Sequence, residues 1–170
     1  MFALLNAGKV DEAKLICKEM LSFNSKKGHE AFGYFYLKIK HYEEAVEHFL
    51  KALHHGNVSD SVLRGLGYAY FSSFHFKEAL DYFMRVKDKS ADDYFMIFSS
   101  YVLLRDPMSA RSYLDMAYQS DPERTAYLMR RFYTTLVSSS PDITEEEKKA
   151  LEAEINNYLS SMNNKAGGGS

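Results

Sequence analysis

His29–Ala52 reads HEAFGYFYLKIKHYEEAVEHFLKA and Leu63–Val86 reads LRGLGYAYFSSFHFKEALDYFMRV. A shift of 34 residues carries Gly33, Tyr36, Tyr42, Ala45, Phe49 and Ala52 onto Gly67, Tyr70, Phe76, Ala79, Phe83 and Val86, each the same residue or a close apolar relative. A period of that length marks stacked repeats. Gly33 and Tyr36 lie three apart, and Ala45, Phe49 and Ala52 fall at i, i+4 and i+7, so each set occupies one helical face. Each unit is therefore two amphipathic helices joined by a turn, and a lone hairpin of this kind cannot bury its apolar face without a neighbour.

Glycine inside a helix costs about 1 kcal/mol relative to alanine. Gly33 and Gly67 are accordingly expected where a neighbouring helix packs on bare backbone, with Tyr36, Tyr70, Phe49 and Phe83 filling the space between hairpins.

The pattern resembles the tetratricopeptide repeat, which runs aromatic, Leu-Gly, Tyr, then Ala, aromatic, Ala and often Pro over about 34 residues. On that resemblance residues 26–59 and 60–93 are clean repeats. Residues 1–25 hold an incomplete first repeat, whose second helix carries Val10, Ala13, Cys17 and Met20, and its start within a unit points to a trimmed boundary. Residues 94–121 hold a degenerate repeat, read from Tyr101, Ala110, Leu114, Ala117 and the following Pro122. The steps from Ala13 to Ala45 and from Ala79 to Ala110 are shorter than the full period, and Phe98 stands where the family places a small residue, so the packing there is expected to be irregular.

Ser90 with Asp93, Asp121 with Pro122, and Thr144 with Glu147 read as helix starts. Residues 122–163 are expected to be capping helices: one over Pro122–Val137, a break at Ser138–Pro141, and one from Thr144 to Met162 with the stripe Leu151, Ile155, Tyr158, Leu159 and Met162. Residues 164–170 read as a flexible, linker-like tail. The implied fold is an all-α right-handed superhelix, an α-solenoid of about three helix-turn-helix units closed by C-terminal capping helices.

Composition narrows the function. The 170 residues carry 21 Lys+Arg against 23 Asp+Glu, for a formal charge of −2, which supplies no field for a nucleic acid or an anionic membrane. No apolar run approaches the roughly 18 residues that a membrane span needs. A single cysteine, Cys17, excludes an internal disulfide and fits a reducing compartment, so a cytoplasmic location is expected.

Catalytic candidates have plainer structural readings. Cys17 falls in a core slot of the repeat and is expected to be a buried, inert thiol. His29, His41, His48, His54, His55 and His75 show none of the spacings that bring two ligands to one helix face, and His54 and His55 suit a helix end; neither metal nor cofactor is implied. Glu43 with Glu44 and Asp92 with Asp93 read as solvated helix starts. No phosphate-binding glycine loop is present.

The 13 Tyr and 12 Phe exceed the repeat's own slots. In proteins similar to this family, the first helix of each unit lines a concave groove that receives a peptide or helix. Carried over by position, the resemblance implies a partner-binding groove of Lys27, Tyr34, Lys38, Arg64, Tyr68, Phe71, Phe95 and Met96, with Gly65 also at its surface. The clamp of Lys, Asn and Arg with which some members grip a chaperone's terminal carboxylate is absent, because Tyr34 and Gly65 or Tyr68 replace its asparagines. The function implied is a non-catalytic adaptor or scaffold for another protein's apolar segment. A self-associating scaffold and a small secretion chaperone are the alternatives, with filling of the groove by the chain's own terminal helix as the competing structural reading.

Overall fold

The computed structural model describes residues 1–138 and 144–167, with all side chains except those of 136–138, 147, 151, 154 and 163–167. Ten helices occur among them: α1 Phe2–Asn6, α2 Val10–Phe23, α3 Ser25–Lys38, α4 Tyr42–His54, α5 Asp60–Ser72, α6 Phe76–Arg85, α7 Ala91–Leu103, α8 Pro107–Ser120, α9 Pro122–Ser138 and α10 Glu145–Gly167. Consecutive helices pack as antiparallel hairpins. The odd-numbered helices also touch one another, α1 on α3, α3 on α5 and α7 on α9, and Arg64 of α5 bonds to Asp93 of α7, so that they form one inner layer.

Local chemistry sets the ends. Asn24, Ser59 and Asp106 accept hydrogen bonds from the backbone N–H groups of Lys27, Val62 and Ser109, and Ser90 with Asp93 closes a reciprocal capping box. Asp121 accepts from the Arg124 N–H at 2.9 Å ahead of Pro122. The second expected box involves Glu147, whose side chain lies outside the described residues, as does most of the expected Ser138–Pro141 break. Helix α10 runs to Gly167, past the expected Met162 and into the segment read as a tail.

The four hairpin turns from α1 to α8 are built alike. The N–H groups of Lys9, His41, His75 and Asp106 bond back to the carbonyls of Leu4, Tyr36, Tyr70 and Tyr101, a helix-ending arrangement that needs a left-handed residue just before. Gly8 fills that place at φ 75°, but Lys40, Phe74 and Arg105 also adopt it at 64°, 64° and 61°. These three accept a steric cost of about 1–2 kcal/mol each, offset by the hairpin closure.

The core explains the glycines. Phe49 is fully buried and wedged between two helices of the inner layer. A Cβ on Gly33 would stand 2.6 Å from its Cδ1 and Cε1, and one on Gly65 would stand 2.6 Å from Cε1 and 2.8 Å from Cε2. Gly67 meets Phe83 in the same way, at 2.7 Å. Gly65, expected at the groove surface, is therefore buried, because Phe49 of the preceding hairpin occupies its side-chain space. Gly28 allows α2 to cross α3 backbone to backbone, where a Cβ would collide with Leu21.

The α7–α8 hairpin replaces both members of the pair. Phe98 stands where Gly33 and Gly67 stand, and Leu114 replaces the facing phenylalanine; both are buried in one cluster. The pair therefore carries more bulk than its counterparts, where α3 and α4 or α5 and α6 pack over bare glycine.

Helix α10 closes the stack on its outer side. Ile155, Leu159 and Met162 are buried against the last hairpin, the Tyr158 hydroxyl donates to Asp115 of α8 at 2.7 Å, and Arg111 stacks on the Tyr158 ring.

Candidate functional site: an inner groove and a histidine cluster

The inner groove begins with Tyr34 and Tyr68, one repeat apart. Each ring meets edge-on the phenylalanine of its own hairpin core, Phe49 at 5.0 Å and Phe83 at 5.1 Å between centroids. Each presents its remaining face inward. Burial, followed by the nearby carboxylates of Asp92 and Asp93, pushes the Tyr68 hydroxyl up to about 12, so it stays a neutral donor.

Where α5, α7 and α9 begin, the groove wall is stitched to itself. The Tyr34 hydroxyl donates to the Ser61 carbonyl at 2.7 Å. Arg64 donates from Nε to both Asp93 oxygens at 2.9 and 3.0 Å and from Nη2 to the Asp88 carbonyl at 2.6 Å. Arg124 grips Asp92 at 2.6–3.2 Å. Two expectations change here. Arg64, expected as a partner-binding groove residue, is engaged in an internal ion pair. Asp93, expected at a solvated helix start, is 0% exposed and also accepts from the Ser90 N–H and hydroxyl.

The ends of the groove are covered by the chain itself. Phe95, expected on the aromatic wall, is 3% exposed because α9 brings Phe132 against it and Phe98 at 6.0 Å. At the other end Phe2 of α1 meets Tyr34 edge-on at 5.9 Å. Lys27 is exposed and paired with Glu30 at 3.2 Å. Phe71 rests edge-on against Phe76, and Met96 packs on the Ala79, Phe83 and Ile97 cluster.

What remains open is a cavity of about 350 Å³ lined by Phe2, Tyr34, Leu37, Lys38, Lys40, Tyr42, Tyr68 and Ser72. Three of the expected groove residues, Tyr34, Lys38 and Tyr68, converge there. Lys38 and Lys40 enter no ion pair among the described residues. Phe2, Lys40 and Tyr42 were not legible as groove residues. Lys40 reaches the cavity by its place in the left-handed turn, and Phe2 by its register one short repeat before Tyr34.

A second gathering of functional groups lies at the start of α3 and along the middle and end of α4. His29 and His48 face each other with Nδ1 atoms 3.1 Å apart, and His55 stacks on His29 at 5.5 Å and 7°. The His48 ring packs against two neighbouring rings of α3, Phe32 at 4.8 Å and Tyr36 at 5.3 Å. Burial foremost, then the charges of His29 and Lys51, pull His48 down to about 4 against the opposing pull of Glu47. Burial, His55 and Lys51 lower His29 in the same direction. Residues 19 apart in sequence are drawn together only by hairpin packing, so no helix-spacing motif could have found them.

Cys17 is fully buried, its Sγ directed at Met1 Sδ at 3.2 Å, and burial raises its thiol to about 11. Among the described residues every buried side-chain nitrogen and oxygen has a partner, and no helix is long and apolar enough to cross a membrane.

No family model and no curated protein matches the chain. Among solved structures, the crystal structure of MamA superposes with a TM-score of 0.69 over 96% of this chain and 92% of that one, at 19% identity. A likeness at that identity is one of fold. Together with the hairpin layers described above, it makes this chain an all-α, right-handed α-solenoid of the tetratricopeptide-repeat-like kind, closed by C-terminal helices.

Proposed function

We propose that the protein is a non-catalytic interaction scaffold that takes an apolar segment of another protein, helical or extended, into the open part of its inner groove. The observation that carries this reading is the cavity between α3 and α5, where Tyr34, Leu37 and Tyr68 offer apolar and aromatic area beside the two unpaired lysines. Rigid aromatic rings provide large contact area at low entropic cost. Lys38 and Lys40 then favour a segment whose apolar anchor is flanked by Asp or Glu. The polar groups on the stitched side of the groove are spent on helix-to-helix bonds, which favours a holding surface over a reactive centre.

The experiment is a peptide-display selection against the full chain, with the enriched peptides measured by fluorescence anisotropy. Enrichment of apolar peptides with acidic flanks is expected. Lys38→Glu with Lys40→Glu should weaken them about tenfold, and added salt should weaken the wild-type complex in the same direction. Peptides that bind the charge-reversed protein equally well would remove the groove from the reading.

Self-association is the second reading, favoured by the outer face of α2, where Leu15 is 57% and Phe23 90% exposed. A second copy covering that face gives a mass in light scattering that rises with concentration and falls on Phe23→Asp. A small secretion chaperone would use the same groove for an extended apolar segment and is distinguished by a bound segment without helical signal.

A further inference from the structure

We propose that His29 and His48 form a two-imidazole binding site for a divalent transition metal ion, zinc(II) or copper(II). The two Nδ1 atoms stand 3.1 Å apart, at the start of α3 and in the middle of α4. A metal–nitrogen bond of about 2.0–2.1 Å to each would subtend about 98° at the ion, between the right angle of a square or octahedral site and the tetrahedral angle. Imidazole nitrogen is the ligand type that these ions share, and hard oxygen-seeking cations are disfavoured.

Several features make the pair more than a chance meeting of surface residues. Phe32 and Tyr36 stack against His48 at 28° and 29°, so packing supplies part of the orientation that bound imidazoles usually owe to outer hydrogen bonds. Among the described residues no three His, Cys, Asp or Glu side chains converge into a closed cage, so the site is open. Its remaining positions go to water or to a donor group of a bound partner, and His55, stacked on His29, lies beside the pair.

The metal-free and metal-bound pairs differ in where their protons reside. Without metal, one Nδ1–H donates to the other Nδ1. With metal, both Nδ1 lone pairs are used, both imidazoles carry hydrogen on Nε2, and no net proton is released. The rings therefore report their own coordination.

The test is titration of the EDTA-treated full chain with zinc(II) chloride, and separately copper(II) chloride, by calorimetry, with imidazole nitrogen NMR on the zinc arm. The expected result is saturable binding of one ion per chain, with the Nδ1 signals of His29 and His48 shifting together. His29→Gln and His48→Gln should each weaken binding by roughly tenfold or more, since loss of even an outer-shell partner costs that much. His75→Gln, far from the pair, should leave it unchanged. If the His48 variant loses helicity, the His29 variant and the wild-type nitrogen spectrum still decide. Unshifted Nδ1 signals at saturating metal would overturn the proposal, as would equal affinity in the His29 variant; either result would leave the pair as an N–H···N hydrogen bond.

Discussion

Gly65→Ala probes the packing that sets the spacing of the whole stack. In an unencumbered helix the change would stabilise the protein by about 1 kcal/mol. Here the added methyl carbon would stand 2.6 and 2.8 Å from the Cε atoms of Phe49, where carbon atoms pack comfortably at about 3.5–4.0 Å. The ring has little room to retreat, because it is fully buried and already packs over Gly33, where an added Cβ would itself stand 2.6 Å from Cδ1 and Cε1. Overpacking of a tight core costs about 1–3 kcal/mol. With the ring confined by both helices the upper part of that range applies, which leaves a net loss of about 2 kcal/mol after the helical gain. Urea unfolding followed by far-ultraviolet circular dichroism reads it directly. The companion variant is Phe49→Leu, the residue that the α7–α8 hairpin uses at this place as Leu114. It costs stability alone but should relieve Gly65→Ala, giving a coupling of at least about 1 kcal/mol in a double-mutant cycle. A Gly65→Ala protein as stable as wild type, or two changes that simply add, would show that the ring does not set the inter-hairpin distance.

Three further outcomes follow from the same contacts. His48 titrates near 4 in the folded chain against about 6.5 unfolded, so its neutral form supports the fold: that stability is complete above about pH 6.5 and drains away as pH falls toward 4. Discounted for the partial exposure of the ring, it is about 1–2 kcal/mol, measurable as a steeper loss of urea stability in metal-free wild type than in His48→Gln. Arg64→Leu leaves Asp93 buried without its cation, although the Ser90 bonds remain; a loss of about 2–3 kcal/mol is expected in thermal and urea unfolding, and a loss under 0.5 kcal/mol would mean that the pair is idle. Cys17, buried and with its thiol raised to about 11, should react with a thiol-specific disulfide reagent only as fast as α1 opens from α2, and truncation of Met1 and Phe2 should accelerate it; immediate labelling of the intact chain would contradict the packing.

Much of the architecture was legible from local pattern. The recurrence of Gly33, Tyr36, Ala45 and Phe49 one period later identifies hairpins that must stack, because helical periodicity and the need to bury an apolar face are properties of short segments. Caps such as Ser90 with Asp93 were readable for the same reason: a side chain three residues from a free N–H can satisfy it without help from elsewhere. Even Phe98, odd for the repeat, announced a change of packing, though not that Leu114 would absorb it.

The functional surface depended on contacts between segments far apart in the chain. Arg64 and Asp93 lie 29 residues apart, and their pairing turns two presumed surface charges into a buried tie. Phe95 leaves the groove wall because Phe132 of α9 reaches it, while Phe2 and Lys40 join the groove through the arrangement of α1 and a left-handed turn. His29 and His48 become neighbours only when α3 packs on α4. Periodicity along one helix specifies which face is apolar; which residues remain open to a partner depends on what the other helices cover, and that is settled by the register and distance at which the hairpins stack.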